Sequence, residues 1–125
     1  MAAQSIRPVL LVDDDPSQLW VREAVLRRYH FDVAVATSAE AALALLRGEP
    51  HAFSAIITDH ILPGASGAEF VRMLRAVDAN IPVIVVTGLA EAESEYAGLG
   101  VNFQQKPLAP EELIRQLRIV TQRTA

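Results

Sequence analysis

The chain has 125 residues, 51% apolar and 21% charged, with a net charge of -4 and no cysteine. That length makes one domain with a single core, and the composition excludes a disordered chain, a disulfide scaffold, a thiolate nucleophile and a cysteine metal site. Mild acidity argues against a general nucleic-acid binder, no run approaches the ~18 apolar residues of a membrane span, and the N-terminus lacks a signal-peptide layout.

The first predicted strand, 9–12, is a continuous apolar run stopped by Asp13, Asp14 and Asp15. Residues 17–29 repeat Val21, Ala24, Val25 and Tyr29 at helical spacing, and His30 after them suits a left-handed cap. Strand 33–36 leads to a helix over 38–47, with Thr37 and Glu40 as its capping box and Ala41, Ala42, Leu45 and Leu46 as its inner stripe. His51 reads as a surface loop residue. Strand 55–58 ends at Asp59, and a helix over 67–77 turns Phe70, Val71, Leu74 and Val77 inward with Arg72 and Arg75 outside. Strand 83–87 ends in Thr87, and a weaker, acidic, alanine-rich helix spans 90–99. Strand 101–105 leads to Lys106, and the last helix, 111–122, has Pro110 in its first turn with Leu113, Ile114, Leu117 and Val120 on one face.

Apolar, β-branched strands without alternation suit a sheet covered on both sides. Five strands alternating with five helices predict an α/β fold, a parallel sheet with helices on both faces. Ligands in such folds bind outside the carboxyl ends of the strands. With no linker or repeat, residues 1–125 are expected to be one domain with a core over about 7–123 and no output domain. The final TQRTA reads as a plain end or the start of a linker.

The charges are unevenly distributed. Ten of eleven cations are Arg, and the only lysine is Lys106; four of six Asp fall at two predicted strand ends. Asp13, Asp14, Asp59, Thr87 and Lys106 are therefore expected at the same edge of the sheet. Carboxylates gathered there repel one another and call for a cation. Mg²⁺ suits them, since it takes oxygen ligands and keeps waters or phosphate oxygens elsewhere. A lysine ammonium and a threonine hydroxyl complete a site for phosphoryl transfer, with a carboxylate as nucleophile and an aspartyl phosphate as product.

The stretches LLVDDDP, IITDHILPGASG, VIVVTG and FQQKPL resemble, in order and spacing, the receiver (CheY-like) domain of two-component response regulators. The resemblance covers essentially the whole chain. It implies a doubly wound, flavodoxin-like five-stranded sheet of order 2-1-3-4-5. It also implies that Asp59 is phosphorylated from the phosphohistidine of a sensor histidine kinase or histidine phosphotransfer protein. Asp13, Asp14, Asp59 and the backbone carbonyl of Ile61 would hold Mg²⁺ or Mn²⁺. Thr87 and Phe103 would be the switch pair, Lys106 would bind the phosphoryl group, and Lys106-Pro107 would be cis. The implied protein is a cytoplasmic signalling switch, monomer or weak dimer, catalysing only its own phosphorylation and dephosphorylation. It would act on an unknown downstream partner through the face of helix four, strand five and helix five, with no direct contact to nucleic acid or membrane.

Lys106 follows Thr87 by 19 residues, about three fewer than the family commonly has, which predicts a fourth helix about one turn shorter. Phe103 lacks a hydroxyl to hold an outward state. His60 adjoins Asp59, but consecutive strand residues point apart, so it is expected outside the reacting centre. Ile61 and Leu89 offer no polar group to orient an attacking water, which predicts a long-lived aspartyl phosphate. Alternatives are a receiver-like interaction module that accepts no phosphate, a dehalogenase-like phosphatase and a nucleotide binder. The full set of five polar residues opposes the first. Ile61 stands where the second needs an acid, and the third lacks a glycine-lysine motif.

Overall fold

A computed structural model describes residues 7–49 and 51–122. Of the final TQRTA, Thr121 and Gln122 continue the last helix and 123–125 lie outside the described residues. The elements run β1 (Val9–Val12), α1 (Pro16–Arg28), β2 (Val33–Ala36), α2 (Ala39–Gly48) and β3 (Ala55–Thr58). Next come β4 (Ile61–Leu62), β5 (Ala65–Ser66), α3 (Gly67–Val77), β6 (Val83–Thr87), a 3-10 segment (Ala90–Tyr96), β7 (Asn102–Gln105) and α4 (Pro110–Gln122).

The main sheet is parallel throughout, in the order β2-β1-β3-β6-β7. Counting only its own strands, that is the expected 2-1-3-4-5. Every residue of β1, β3 and β6 is buried, because helices cover both faces of these central strands. Leu10, Val12, Ile56, Val83 and Val85 face α2, α3 and Tyr96, whereas Val9, Leu11, Ile57, Ile84 and Val86 face α1 and α4. Alternate residues of each strand thus feed two separate apolar layers.

The strand limits agree with the sequence to within a residue, but two helix faces do not. Val25 in α1 and Tyr29 at its end pack against the core as expected, but the buried residues of the helix are Leu19 and Leu26, while Val21 is 52% exposed and Ala24 faces solvent. The true inner line runs through Arg22, a charge that disguises it in the sequence. In α2 the N-cap is Ser38, which accepts from the Ala41 N–H at 3.0 Å, rather than Thr37. The shift by one residue buries Ala39, Ala42, Leu43 and Leu46 and leaves Leu45 outside. A capping box does exist, at α3: Ser66 Oγ accepts from Glu69 N and the Glu69 carboxylate accepts from Ser66 N. Arg75, expected outside, turns back to donate to the carbonyls of Ile81 at 2.8 Å and Leu99 at 2.9 Å.

Two elements lie beyond the predicted set. Ile61–Leu62 and Ala65–Ser66 pair as a small antiparallel hairpin around Pro63-Gly64, where the φ of +78° at Gly64 is what a type II turn asks of its third residue. The fourth helical element is not α-helical. The short connection leaves a seven-residue 3-10 segment, anchored by buried Ala92 and Tyr96. His30 has the left-handed backbone expected of it, with φ 73°. Among the described residues no helix is long and apolar enough to cross a membrane.

The corrected α1 face generates a pair of expectations. Leu26→Ala removes a fully buried side chain and should cost about 2–5 kcal/mol in urea denaturation. Val21→Ala should stay within about 0.5 kcal/mol of the parent. Equal losses would restore the face drawn from Val21 and Ala24.

Candidate functional site

β1, β3 and β6 end side by side, and the register Val12↔Thr58 and Thr58↔Val85 brings their following residues to a common edge. The Asp59 N–H donates to the Val12 carbonyl at 3.2 Å, so the ladder continues one residue beyond β3. Asp13 (1% exposed), Asp59 (9%) and Thr87 (1%) are buried there, and Asp14 is exposed beside them.

Asp59 is held from two sides. Its Oδ1 accepts the His60 N–H at 2.7 Å and the Ile61 N–H at 3.5 Å, while its Oδ2 lies 3.0 Å from the Lys106 ammonium. Lys106 reaches that place because the chain after β7 is still on the ladder: its N–H donates to the Thr87 carbonyl at 2.8 Å, and the next peptide bond, to Pro107, is cis. The ammonium also donates to Gln18 Oε1 at 2.9 Å, which ties it to α1. Thr87 Oγ1 accepts the Leu89 N–H at 3.3 Å and so has its hydroxyl hydrogen to offer elsewhere.

The three consecutive aspartates are not equivalent. Asp15 is the N-cap of α1 and accepts from Ser17 N at 2.9 Å. Asp13 accepts the Asp15 N–H on Oδ1 at 2.9 Å and Arg22 Nη1 on Oδ2 at 3.3 Å. Burial pushes the Asp13 carboxyl above the usual carboxylate range. The Asp15 N–H and the Arg22 charge oppose that rise, and the Asp59 charge adds to it.

Oxygen donors of this kind fit a hard divalent cation such as Mg²⁺ or Mn²⁺, which needs only one or two carboxylates from the protein. Among the described residues no three His, Asp or Glu side chains already converge on one point, so backbone, water or phosphoryl oxygens must fill the remaining positions. Two mutually repelling buried carboxylates supply the charge that would draw the ion in. Ile61 lies in β4 two residues beyond Asp59, with its side chain 61% exposed.

Three participants escaped the sequence reading. Arg22 and Gln18 were hidden as ordinary polar residues of α1. The third is Tyr96, whose hydroxyl lies 2.7 Å from His60 Nδ1 with the two rings edge to face at 5.6 Å. Burial pushes the Tyr96 phenol far above its usual range, with Glu95 and then Asp59 adding to the rise. The phenol therefore keeps its proton and shares a hydrogen bond with His60 Nδ1, while the other ring nitrogen, Nε2, lies 3.7 Å from the Glu95 carboxylate. His60 thus points away from the Asp59 carboxylate, as alternation requires, and meets it only through the backbone N–H. Tyr96 also stands 5.8 Å from the ring of Phe103, which gives Phe103 an aromatic neighbour in place of a phenolic hydrogen bond of its own. Gly67 makes room for this packing, because a Cβ there would lie 2.7 Å from the Asp59 carbonyl oxygen and would collide with the Tyr96 hydroxyl.

Residues 9–118 match the family model described as the response regulator receiver domain. The DNA-binding response regulator MtrA of Mycolicibacterium smegmatis is 33% identical over 88% of this chain and 48% of its own. The two-component response regulator ARR14 of Arabidopsis thaliana is 29% identical over 84% of this chain and 28% of its own. The chain therefore spans about a quarter to a half of the length of these curated relatives. Among solved structures, a CheY-like receiver domain protein from Methanospirillum hungatei superposes with a TM-score of 0.88 at 25% identity, covering 95% of this chain and 96% of that one.

The raised pKa of Asp13 fixes the sign of a pH effect. Where the folded pKa exceeds the unfolded one, stability is greatest below the unfolded value and falls as pH rises through the folded one. In the presence of a chelator, the contribution of Asp13 to stability should therefore fall as pH rises above about 4, the ordinary carboxylate range, and Asp13→Asn should remove that contribution from the melting temperature's dependence on pH. A pH profile of the same slope in parent and variant would show that burying this charge costs nothing.

Proposed function

The chain belongs to the response regulator receiver family, and on that footing we propose that its switch is the phosphorylation of Asp59. The observation that carries this reading is the buried Asp59 carboxylate, clamped by two backbone amides and by the only lysine in the chain. Two N–H groups hold Oδ1 in place, so the carboxylate meets a phosphoryl donor with little left to reorganise. The donor is the phosphohistidine of a sensor kinase or phosphotransfer protein. A carboxylate oxygen attacks phosphorus, the bond from phosphorus to the imidazole nitrogen breaks, and the imidazole leaves with the electron pair. The product is an acyl phosphate on Asp59.

Asp13, Asp14, Asp59 and the Ile61 carbonyl are the residues that would hold Mg²⁺. Bound there, the ion supplies neutralisation of the charge gathered on the phosphoryl oxygens. Lys106 exchanges its carboxylate partner for a phosphoryl oxygen, and its tie to Gln18 keeps the ammonium at the edge of the pocket. The Thr87 hydroxyl turns to the same group, and Phe103 follows it inward. That motion alters the face built from the 3-10 segment, β7 and α4, where a downstream partner is read. Trp20 and Val21, 74% and 52% exposed on α1, give the phosphodonor protein an apolar surface on the helix that also carries Gln18 and Arg22.

Incubation with Mg²⁺ and a small phosphodonor such as acetyl phosphate should add one phosphoryl group, seen in the intact mass. Asp59→Asn should abolish it; labelling that persists in the variant would overturn the assignment. The phosphorylated protein, freed of donor, should also decay over minutes or longer. Neither Ile61 nor Leu89, 61% and 38% exposed, carries a polar group to orient water. Decay within seconds would show that another group does so.

A further inference from the structure

α1 places a charge where its packing calls for an apolar residue. Leu19, Arg22 and Leu26 follow one another at three- and four-residue steps, the spacing of a core-facing stripe. Leu19 and Leu26 are 7% and 0% exposed, and the Arg22 side chain between them is 15% exposed. A guanidinium so placed loses hydration, which only a fixed anion can repay. That anion is Asp13 Oδ2, at 3.3 Å. The other oxygen of Asp13 already accepts the Asp15 N–H, so the chain itself engages both atoms of this carboxylate. With Lys106 on Asp59, the pocket holds two resident cations against its three carboxylates.

We propose that Arg22 is a tethered counter-ion of the acidic pocket, competing with the divalent cation for Asp13 and so setting the metal concentration at which Asp59 becomes phosphorylatable. This rests on the reading of the pocket as the Mg²⁺ site of a receiver. A cation joined to α1 is present at a high effective concentration whatever the ionic content of the solution. An ion that takes Asp13 as a ligand would share the carboxylate with the guanidinium or displace it, and in either case it would work against a like charge. Displacement has somewhere to go. A cavity of about 300 Å³ between α1 and the chain after β7 is lined by Arg22 together with Gln18, Val25, Lys106, Leu108 and Leu113, so the guanidinium can swing without any movement of the strands.

The test is Mg²⁺ binding by isothermal titration calorimetry on the metal-free protein at pH 8 and low ionic strength. Arg22→Gln should bind Mg²⁺ about three- to tenfold more tightly than the parent, because a like charge a few ångströms away has been removed. It should also melt lower in chelator and gain more from saturating Mg²⁺. Arg22→Lys, which keeps the charge, should stay near parental affinity. Arg22→Met, which keeps the apolar stem, replaces the glutamine variant if that one does not fold. Unchanged or weaker binding in the neutral variants, with binding still lost in Asp14→Asn, overturns the inference and leaves the pocket reading standing. Tightening as large in Arg22→Lys as in Arg22→Gln assigns the effect to packing and likewise overturns it. Absence of Mg²⁺ binding in every protein, or binding that survives Asp14→Asn, overturns the pocket reading and the inference together.

Discussion

The repulsion between carboxylates gathered at one end of a parallel sheet is the constraint around which the rest of the molecule is arranged. Asp13 and Asp59 are buried at neighbouring strand ends, where water screens them poorly. Each is compensated by means drawn from a different part of the chain. Lys106 comes from beyond the last strand, Arg22 from the second turn of α1, and backbone amides from Asp15, His60 and Ile61. Because these groups come from separate elements, the site exists only while the sheet and α1 are in register. A folded core is thus a condition for the charge arrangement, and that arrangement takes back some of the core's stability.

The central strands of the sheet were legible in the sequence because they are short, apolar and largely β-branched, and because each ends at or just before a residue too polar to continue it. Val83–Thr87 is the clearest case. The positions of Asp59 and Thr87 at the sheet edge were legible for the same reason: a polar residue at the end of a buried strand has few places to go. Helix faces were less so. A stripe drawn by hydrophobicity alone avoids Arg22 and so rotates α1, although Arg22 lies on the inner line for an electrostatic reason that only the position of Asp13 reveals. Ser38 in place of Thr37 as a cap turned α2 by one residue in the same way. Side-chain partners across the fold, such as His60 and Tyr96, leave no local trace. They depend on how far a 3-10 segment reaches, which neither residue encodes.

The short connection between Thr87 and Lys106 has its own logic. A 3-10 helix rises faster per residue than an α-helix, so fewer residues cover a given distance. Seven residues of it lead from the end of β6 to Tyr96, whose ring fills the space between His60 and Phe103. The aromatic neighbour of Phe103 is therefore supplied by the shortened segment itself. Gly67 on the opposite side shows how closely that segment is seated.

The run Asp13-Asp14-Asp15 marks the point where one periodicity hands over to another. Asp13 still belongs to the two-residue alternation of β1, while Asp15 already opens a helix that advances by about 100° per residue. Identical side chains therefore occupy positions that evolution cannot treat as interchangeable. Asparagine at 15 would still cap the helix, whereas at 13 it would remove the anion that Arg22 faces. Loss of any one of the three would leave a composition almost unchanged, yet turn α1 by a quarter turn or more and carry Arg22 and Gln18 off their partners. Substitution is graded at this junction, and a change of length is not.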